Sequence, residues 1–460
     1  MSGLAWSDAT VRSALGMAAA PAPQGTVYSG VSTDSRTVEP GDLYVALAGA
    51  RFDGHDFLAD ALARGARGAV VSRPDAVSGA APLYAVADTL VALGALAAWR
   101  RGELRVPVVA ITGSAGKTTT KDLTRGALAG TLRVHATKGN LNNRIGMPLT
   151  LLATPDDAQA VVLELGTNEP GEIGTLARIA RADVGVVITV GEAHLEKLGS
   201  VEGVLAEKLD LLRNLAPAGQ AVVGDEPDFL PAAARAACSR VRVAGWSERA
   251  DAGLRPERVE SDAGGAFRFR WRGHDVALSL PGRHAVLDAL LALAVAEHLG
   301  VPAGAAAEGV SAVGAGAMRG EVRRVGGLTL LVDCYNANPP SVRAALDLLA
   351  ERAGGSKVAV LGSMLELGPA SAALHAEVLR HALSLRLDLV VATGAFADVA
   401  AGIRDDRIVT AADWKSGYPA LRDRLAGDEV VLLKASRGVA LEGMLPLLVA
   451  DFDAAPVEEA

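Results

Sequence analysis

Residues 108–121, VVAITGSAGKTTTK, constrain the fold of this chain more than any other stretch. A β-branched apolar run ends in a glycine-bearing turn and opens into a helix at Lys117-Thr118. That order makes a cradle for a triphosphate, because backbone N–H groups turn inward around phosphate oxygens and the helix N-terminus adds partial positive charge. Gly113, Ser114, Ala115, Gly116, Lys117, Thr118 and Thr119 are the residues expected to line it. Lys117 would reach the β- and γ-phosphates and the Thr118 hydroxyl would hold Mg²⁺. The pattern departs from the usual P-loop in one place, with Ile111 where its first glycine belongs.

The chain has 460 residues, enough for about three domains. Half of them are hydrophobic but only 4% are aromatic, so the cores must be built from Ala, Val and Leu. A net charge of −8 and the lack of a basic stripe argue against nucleic acid as the main partner. The two cysteines, Cys238 and Cys334, lie far apart without CxxC spacing, which fits a reducing compartment. The Ala-rich start lacks a basic leader, and Ser7-Asp8 read as a helix cap rather than part of a signal peptide. With no apolar run long enough to span a membrane, the expectation is a soluble, cytoplasmic protein; separately, a monomer is expected.

Three units follow in order. Residues 1–105 read as a small α/β domain. Within it, Ser32, Asp34, Ser35 and Arg36 make a polar loop with a fixed cation, suited to an anionic or uracil-like ligand; chemistry alone favours a plain surface turn. The glycine-hinged loop 49–57 carries Phe52 and His55, a helix runs from Thr89 to Arg100, and Arg100 to Arg105 reads as a polar linker. Residues 106–314 alternate strands and helices around the P-loop, as a mostly parallel sheet with helices on both faces does. After the P-loop helix, the segment from Thr137 to Pro148 gathers Asn140, Asn142 and Asn143, too many side-chain amides for a simple linker. Gly314 to Gly320 is a glycine-rich boundary, and residues 315–460 form a third α/β, Rossmann-like unit with strands at 328–333, 357–362, 388–393 and 429–434. The acidic tail after Asp451 is expected to fray.

Two strands of the second unit end in metal-capable residues. One runs into Glu164, the other into the loop bearing His194. Ligands of open parallel sheets sit beyond the carboxyl ends of the strands, so Thr118, Glu164 and His194 are expected to converge there on Mg²⁺. In the next helix, Val201, Val204, Leu205, Leu209 and Leu212 mark an apolar face that also carries Lys208. A snorkelling lysine and an active-site lysine whose charge is removed or inverted fit that position equally.

Together these residues resemble the Mur ligase superfamily of ATP-dependent amide ligases. The resemblance runs nearly end to end, from STDSR through TGSAGKTTTK, GNLNNRIGMPLT, LELGTNEPGEI, GEAHLEKLGS, DCYNANPPS and GSMLELG to LLKASRG. YNANP points to the member that adds D-Ala-D-Ala to UDP-N-acetylmuramoyl-tripeptide. The resemblance implies that the first domain holds the UDP portion through Ser32 to Arg36 and the loop around Phe52 to His55. The second would hold ATP, and the third would close over it and present the dipeptide. It implies a carbamylated Lys208 that joins Thr118, Glu164 and His194 at the metal, with Lys117, Glu164, His194 and Lys208 as the catalytic set. It places Arg319, Asp333 and Asn336 at the nucleotide, and Asn140, Asn142, Asn143, Asn338 and Lys434 at substrate.

Three places depart from the family pattern. Ala285 and Asp288 stand where an Asn-x-x-Asn pair often follows His284. The common Ser-Arg-Ser ending is Ser436-Arg437-Gly438, and the common Lys-Gly-Glu is Lys208-Leu209-Asp210.

Overall fold

A computed structural model describes residues 6–19, 25–49, 52–73, 81–316 and 318–453. Ala50-Arg51 of the 49–57 loop, Ala317 of the glycine-rich boundary and the tail beyond 453 lie outside the described residues.

Each of the three units is built on its own sheet. The first has four short parallel strands in the order Val31–Ser32, Leu43–Val45, Gly68–Val71, Leu83–Ala85. The central sheet is six-stranded and parallel, in the order Val241–Ala244, Gln220–Gly224, Val184–Val187, Val108–Thr112, Ala160–Glu164, Val134–Ala136. Its inner strands read as nearly continuous apolar runs because both faces are covered. The P-loop strand Val108–Thr112 is wholly buried, flanked by Val184–Val187 on one side and Ala160–Glu164 on the other. An antiparallel three-stranded sheet over 257–281 then leads into the Arg283–His298 helix. That helix is apolar nearly all round because it packs both on the P-loop helix Lys117–Ala129 and on the central sheet.

The third sheet has the order Glu321–Val325, Leu328–Asp333, Val430–Lys434, Lys357–Leu361, Leu389–Thr393, Ile408–Ala411. Only the Glu321–Val325 edge runs antiparallel. Two edge strands are absent from the sequence reading: Glu321–Val325 is EVRRV, three of five residues charged and mostly exposed, and Ile408–Ala411 is only four residues long. Apolar clusters cover both faces.

One expectation is corrected. Arg100 to Arg105 is not a free linker. The helix Thr89–Glu103 runs through it, capped by Asp88, and the arginines are fastened to the central unit. Arg100, 2% exposed, donates to the Thr154 carbonyl and to Asp156, both at 2.7 Å. Arg101 donates to the Ala180 and Arg181 carbonyls and to Asp183. A run that looks hydrophilic in sequence is thus used to satisfy helix-end carbonyls that would otherwise be orphaned. The first and central units also share one apolar core, in which Trp6 and Trp99 lie 4.8 Å apart.

Among the described residues no helix is long and apolar enough to cross a membrane.

Candidate active site

The P-loop is a bare helix start. Gly116 precedes the Lys117–Ala129 helix at φ 79° with no side-chain cap, which leaves the first N–H groups free for an anion. Only glycine fits: besides the left-handed φ, a Cβ there would lie 2.6 Å from Asp288 Oδ1. The loop is braced from the neighbouring strand end. Ser114 N–H donates to the Thr189 carbonyl at 2.9 Å, and Ser114 Oγ exchanges hydrogen bonds with the Gly191 N–H and carbonyl. Lys117 folds back over its own loop, Nζ donating to the Gly113 carbonyl at 2.8 Å. Burial lowers its pKa, followed in the opposite sense by Glu164.

A cavity of about 520 Å³ opens above the loop, between the central and C-terminal units. Of the expected residues, its walls hold Ser114, Ala115, Gly116, Lys117, Thr118, Thr119, Asn142, Asn143, Glu164, His194, Arg319, Asp333, Asn336, Asn338 and Lys434. On the metal side, the buried Glu164 carboxylate accepts from Thr118 Oγ1 at 2.9 Å and from Asn142 Nδ2 at 2.7 Å. Its own N–H donates to Thr137 Oγ1. His194 lines the same cavity, but its Nδ1 stands 2.5 Å from Glu366 Oε2 of the third unit, off the hydrogen-bonding direction. Among the described residues no three His, Cys, Asp or Glu side chains gather as a metal cluster. One carboxylate, one hydroxyl and one imidazole at a phosphate loop still suit Mg²⁺, which keeps waters and takes phosphate oxygens as ligands.

Lys208 does not line the cavity. It is fully buried, and its Nζ has no hydrogen-bond partner among the described residues. Burial, with the Lys117 charge second, pushes its pKa down to about 7. The neighbouring Glu207 acts on it through its charge but makes no hydrogen bond to it, its oxygens being turned to backbone N–H groups. Those oxygens accept from the Ile173 and Gly171 N–H groups at 2.7 Å and from Thr167, fixing the start of the Glu172–Ala180 helix.

The C-terminal unit supplies the opposite wall. Asn338 caps the Pro339–Glu351 helix by accepting from Ser341 N–H, and its Nδ2 donates across to the Ser114 carbonyl at 3.1 Å. Lys434, 2% exposed, pairs with Asp333 at 2.8 Å and donates to the Asn336 carbonyl at 2.7 Å. Arg319 stacks on the Tyr335 ring at 3.8 Å.

The expected first-unit residues stand apart from this cavity. The Arg36 fork is closed on Asp34, whose carboxyl those hydrogen bonds hold down at about 2. Ser32 Oγ donates to the Asp34 carbonyl, and Ser35 belongs to the same turn. His55 is buried between Asp53 (2.6 Å) and the Ser72 N–H, while Phe52 is 74% exposed. Asn140 is exposed and also off the cavity.

Sequence reasoning missed Glu226, Trp246 and Arg283, which line the far side of the cavity beyond the strands ending at Gly224 and Ala244. Arg283 lies over the Trp246 ring at 4.3 Å. A lone tryptophan after an apolar strand carries no spacing signal, so only the sheet order reveals it. Glu366 sits on the third unit's GSMLELG turn, a polar strand end that faces the central unit beside the cavity rather than lining it.

Three family descriptions cover most of the chain: Mur ligase family, catalytic domain, over 27–111; Mur ligase middle domain over 111–296; and Mur ligase, glutamate ligase domain, over 318–437. The UDP-N-acetylmuramoyl-tripeptide–D-alanyl-D-alanine ligase of Bacillus subtilis is 35% identical over 444 residues, 94% of this chain and 96% of that protein. A crystal structure of MurF from Acinetobacter baumannii superposes with a TM-score of 0.89 at 31% identity, covering 97% of this chain and 99% of that one. MurF ligase from Thermotoga maritima in complex with ADP gives 0.82 at 28% identity, covering 92% and 98%. This chain belongs to the Mur ligase family.

Proposed function

We propose that this chain is the ATP-dependent amide ligase that joins D-Ala-D-Ala to UDP-N-acetylmuramoyl-tripeptide, a peptide-adding step of peptidoglycan precursor synthesis. Relatives of that name match it nearly end to end. The observation that carries the reading is the Asn338–Ser114 hydrogen bond, because it seats the YNANP turn on the backbone of the phosphate loop. One unit's nucleotide cradle and another's substrate turn thereby form two walls of one cavity.

Joining a carboxylate to an amine in water is uphill, because the carboxylate is stabilised and oxide is a poor leaving group. The tripeptide's terminal carboxylate attacks the γ-phosphorus of ATP, the bond to the β–γ bridging oxygen breaks, and ADP leaves. The free amine of D-Ala-D-Ala then attacks the acyl phosphate carbon. The C–O bond to phosphate breaks, phosphate departs and the amine gives up its proton. Lys117, released from the Gly113 carbonyl, and the free N–H groups of the Lys117–Ala129 helix spread the charge of the transferring phosphoryl group. Thr118, Glu164 and His194 would hold Mg²⁺, which when bound neutralises phosphate oxygens. Asn338 and Lys434 position the third unit's turn, with Arg319, Asp333 and Asn336 facing the nucleotide from the same wall.

Lys208 would complete the metal site as a carbamate. A neutral amine adds to CO₂ and loses one proton, turning a buried cation into an anion. Its burial without a partner and its lowered pKa support this chemistry. Residues 1–105 would bind the UDP portion, through Ser32 to Arg36 with Phe52 and His55, while 106–314 holds ATP and 315–460 the dipeptide. The same reading takes the chain to work as a monomer in the cytoplasm.

A panel of amine acceptors tests the assignment. D-Ala-D-Ala should support ADP release with UDP-N-acetylmuramoyl-tripeptide, while glutamate and diaminopimelate should not. Preference for a single amino acid would move the chain to a neighbouring activity of the family.

A further inference from the structure

On the far side of the P-loop from the metal residues lies a carboxyl group that the mechanism leaves unused. Asp288, in the first turns of the Arg283–His298 helix, is 2% exposed, yet it lines the cavity. Its Oδ1 accepts a hydrogen bond from Thr120 Oγ1 of the P-loop helix at 3.0 Å. Its Oδ2 has no partner among the described residues. Both oxygens press on Gly116, where a Cβ would lie 2.6 Å from one and 3.1 Å from the other.

An ionised carboxylate there is doubly disfavoured. It is buried without a cation, and it abuts the loop that holds a polyanion. The other acidic and basic groups lining the cavity are Lys117 on the P-loop, Glu164, Glu172 and His194 of the central unit, Arg283 and His284 on the helix of Asp288 itself, and Glu226 after the Gln220–Gly224 strand. From the C-terminal unit come Arg319, Asp333 and Lys434. None of them pairs with Asp288 among the described residues. Lys117 turns to the Gly113 carbonyl, Arg283 to Trp246, Arg319 to Tyr335, and Lys434 to Asp333.

We propose that Asp288 binds the nucleotide as a neutral carboxylic acid, its Oδ2–H donating to a phosphate oxygen seated against Gly116. This rests on the nucleotide-binding reading above and names a contact within it. With Oδ1 already accepting from Thr120, the proton belongs on Oδ2, the buried oxygen that lacks a partner among the described residues, on a side chain that lines the cavity. Loss of that proton removes a donor and puts a negative charge beside the phosphates in a poorly hydrated site, so both effects weaken nucleotide binding. Burial raises the group's pKa to about 7, so the neutral form is populated near neutrality.

The test is calorimetric ADP binding to the full chain, with wild type and Asp288→Asn compared between about pH 6 and about pH 9. An amide keeps the shape, one acceptor and a donor, and it does not titrate. Relative to Asp288→Asn, wild-type affinity should fall above neutrality, approaching about tenfold per pH unit. Asp288→Ala should bind ADP more weakly than Asp288→Asn at every pH, because it supplies no donor. A wild-type affinity that does not weaken above about pH 7 relative to the amide variant overturns the proposal. So does an alanine variant that binds as tightly as the amide. If the amide variant unfolds, the wild-type pH profile alone decides: no weakening above neutrality overturns the proposal. No ADP binding at any pH would instead sink the nucleotide-binding reading itself.

Discussion

His194 and Glu366 stand 2.5 Å apart, Nδ1 to Oε2, across the junction of the central and C-terminal units. Both hold left-handed backbone conformations, at φ 54° and 64°, which non-glycine residues seldom adopt. The Glu366 carbonyl also accepts the Glu196 N–H at 3.1 Å. Such conformations persist where the surrounding structure over-determines them, and they cluster at clamps and active sites. The contact spans the two units at the imidazole proposed for the metal.

The first prediction follows from that contact. The Glu366 side chain is 54% exposed, so the pair is screened and worth at most about 1 kcal/mol. Glu366→Ala should therefore shift the melting temperature by no more than about 4 °C. It should also broaden the distance distribution between labels on the central and C-terminal units of the ligand-free chain. An unchanged distribution would show that the Asn338–Ser114 bond and its neighbours close the units without this pair.

Lys117→Ala removes the cation of the phosphate loop. Ligation at saturating ATP should drop by roughly a thousandfold or more, the scale for losing a preorganised group aimed at transition-state charge. Folding should be intact, since among the described residues Nζ hydrogen-bonds only to the Gly113 carbonyl of its own loop. A variant with most of its ligation rate retained would remove Lys117 from the mechanism.

Lys208 gives a prediction with a sign. Its pKa is about 7 in the folded chain and 10.5 unperturbed, so between those values the unfolded chain binds more protons. Stability then rises with pH across that window and levels off above it. Below about 7 both states are protonated and the penalty is constant. In CO₂-free buffer, wild type should resist denaturant better at pH 9 than at about pH 7, and Lys208→Met should lose that rise. Lys208→Ala should bind ADP but not ligate, and added short carboxylates should restore part of the activity. A fully active Lys208→Arg would overturn the carbamate.

Much of this was legible in the chain. The P-loop, the strand ends at Glu164 and before His194, and the lysine on an apolar helix face all rest on local periodicity and motif order. The structure places Thr118, Glu164 and Asn142 in one hydrogen-bonded group. What the sequence could not convey is non-local. Trp246 and Arg283 meet only because the Val241–Ala244 strand is the sheet edge next to the Arg283–His298 helix. The arginines at 100 and 101 read as a linker because sequence cannot show that helix-end carbonyls 54 to 80 residues away await them.

Those arginines make a further prediction. Arg100→Ala leaves the Thr154 carbonyl without its buried donor, so it should cost about 1–3 kcal/mol. Because the first and central units share one core, the loss should appear as a lower denaturation midpoint of both together. A first unit that unfolds separately, with the central transition unmoved, would contradict the joint core.

The central claim is that the carboxylate of the UDP-peptide is phosphorylated before the amine attacks. Supplying UDP-N-acetylmuramoyl-tripeptide labelled with ¹⁸O in its terminal carboxylate, together with ATP and D-Ala-D-Ala, tests it by mass spectrometry of the released phosphate. One ¹⁸O atom should appear in each phosphate, with ADP release dependent on the tripeptide. Unlabelled phosphate, or ADP released at the same rate without either peptide, would contradict the account.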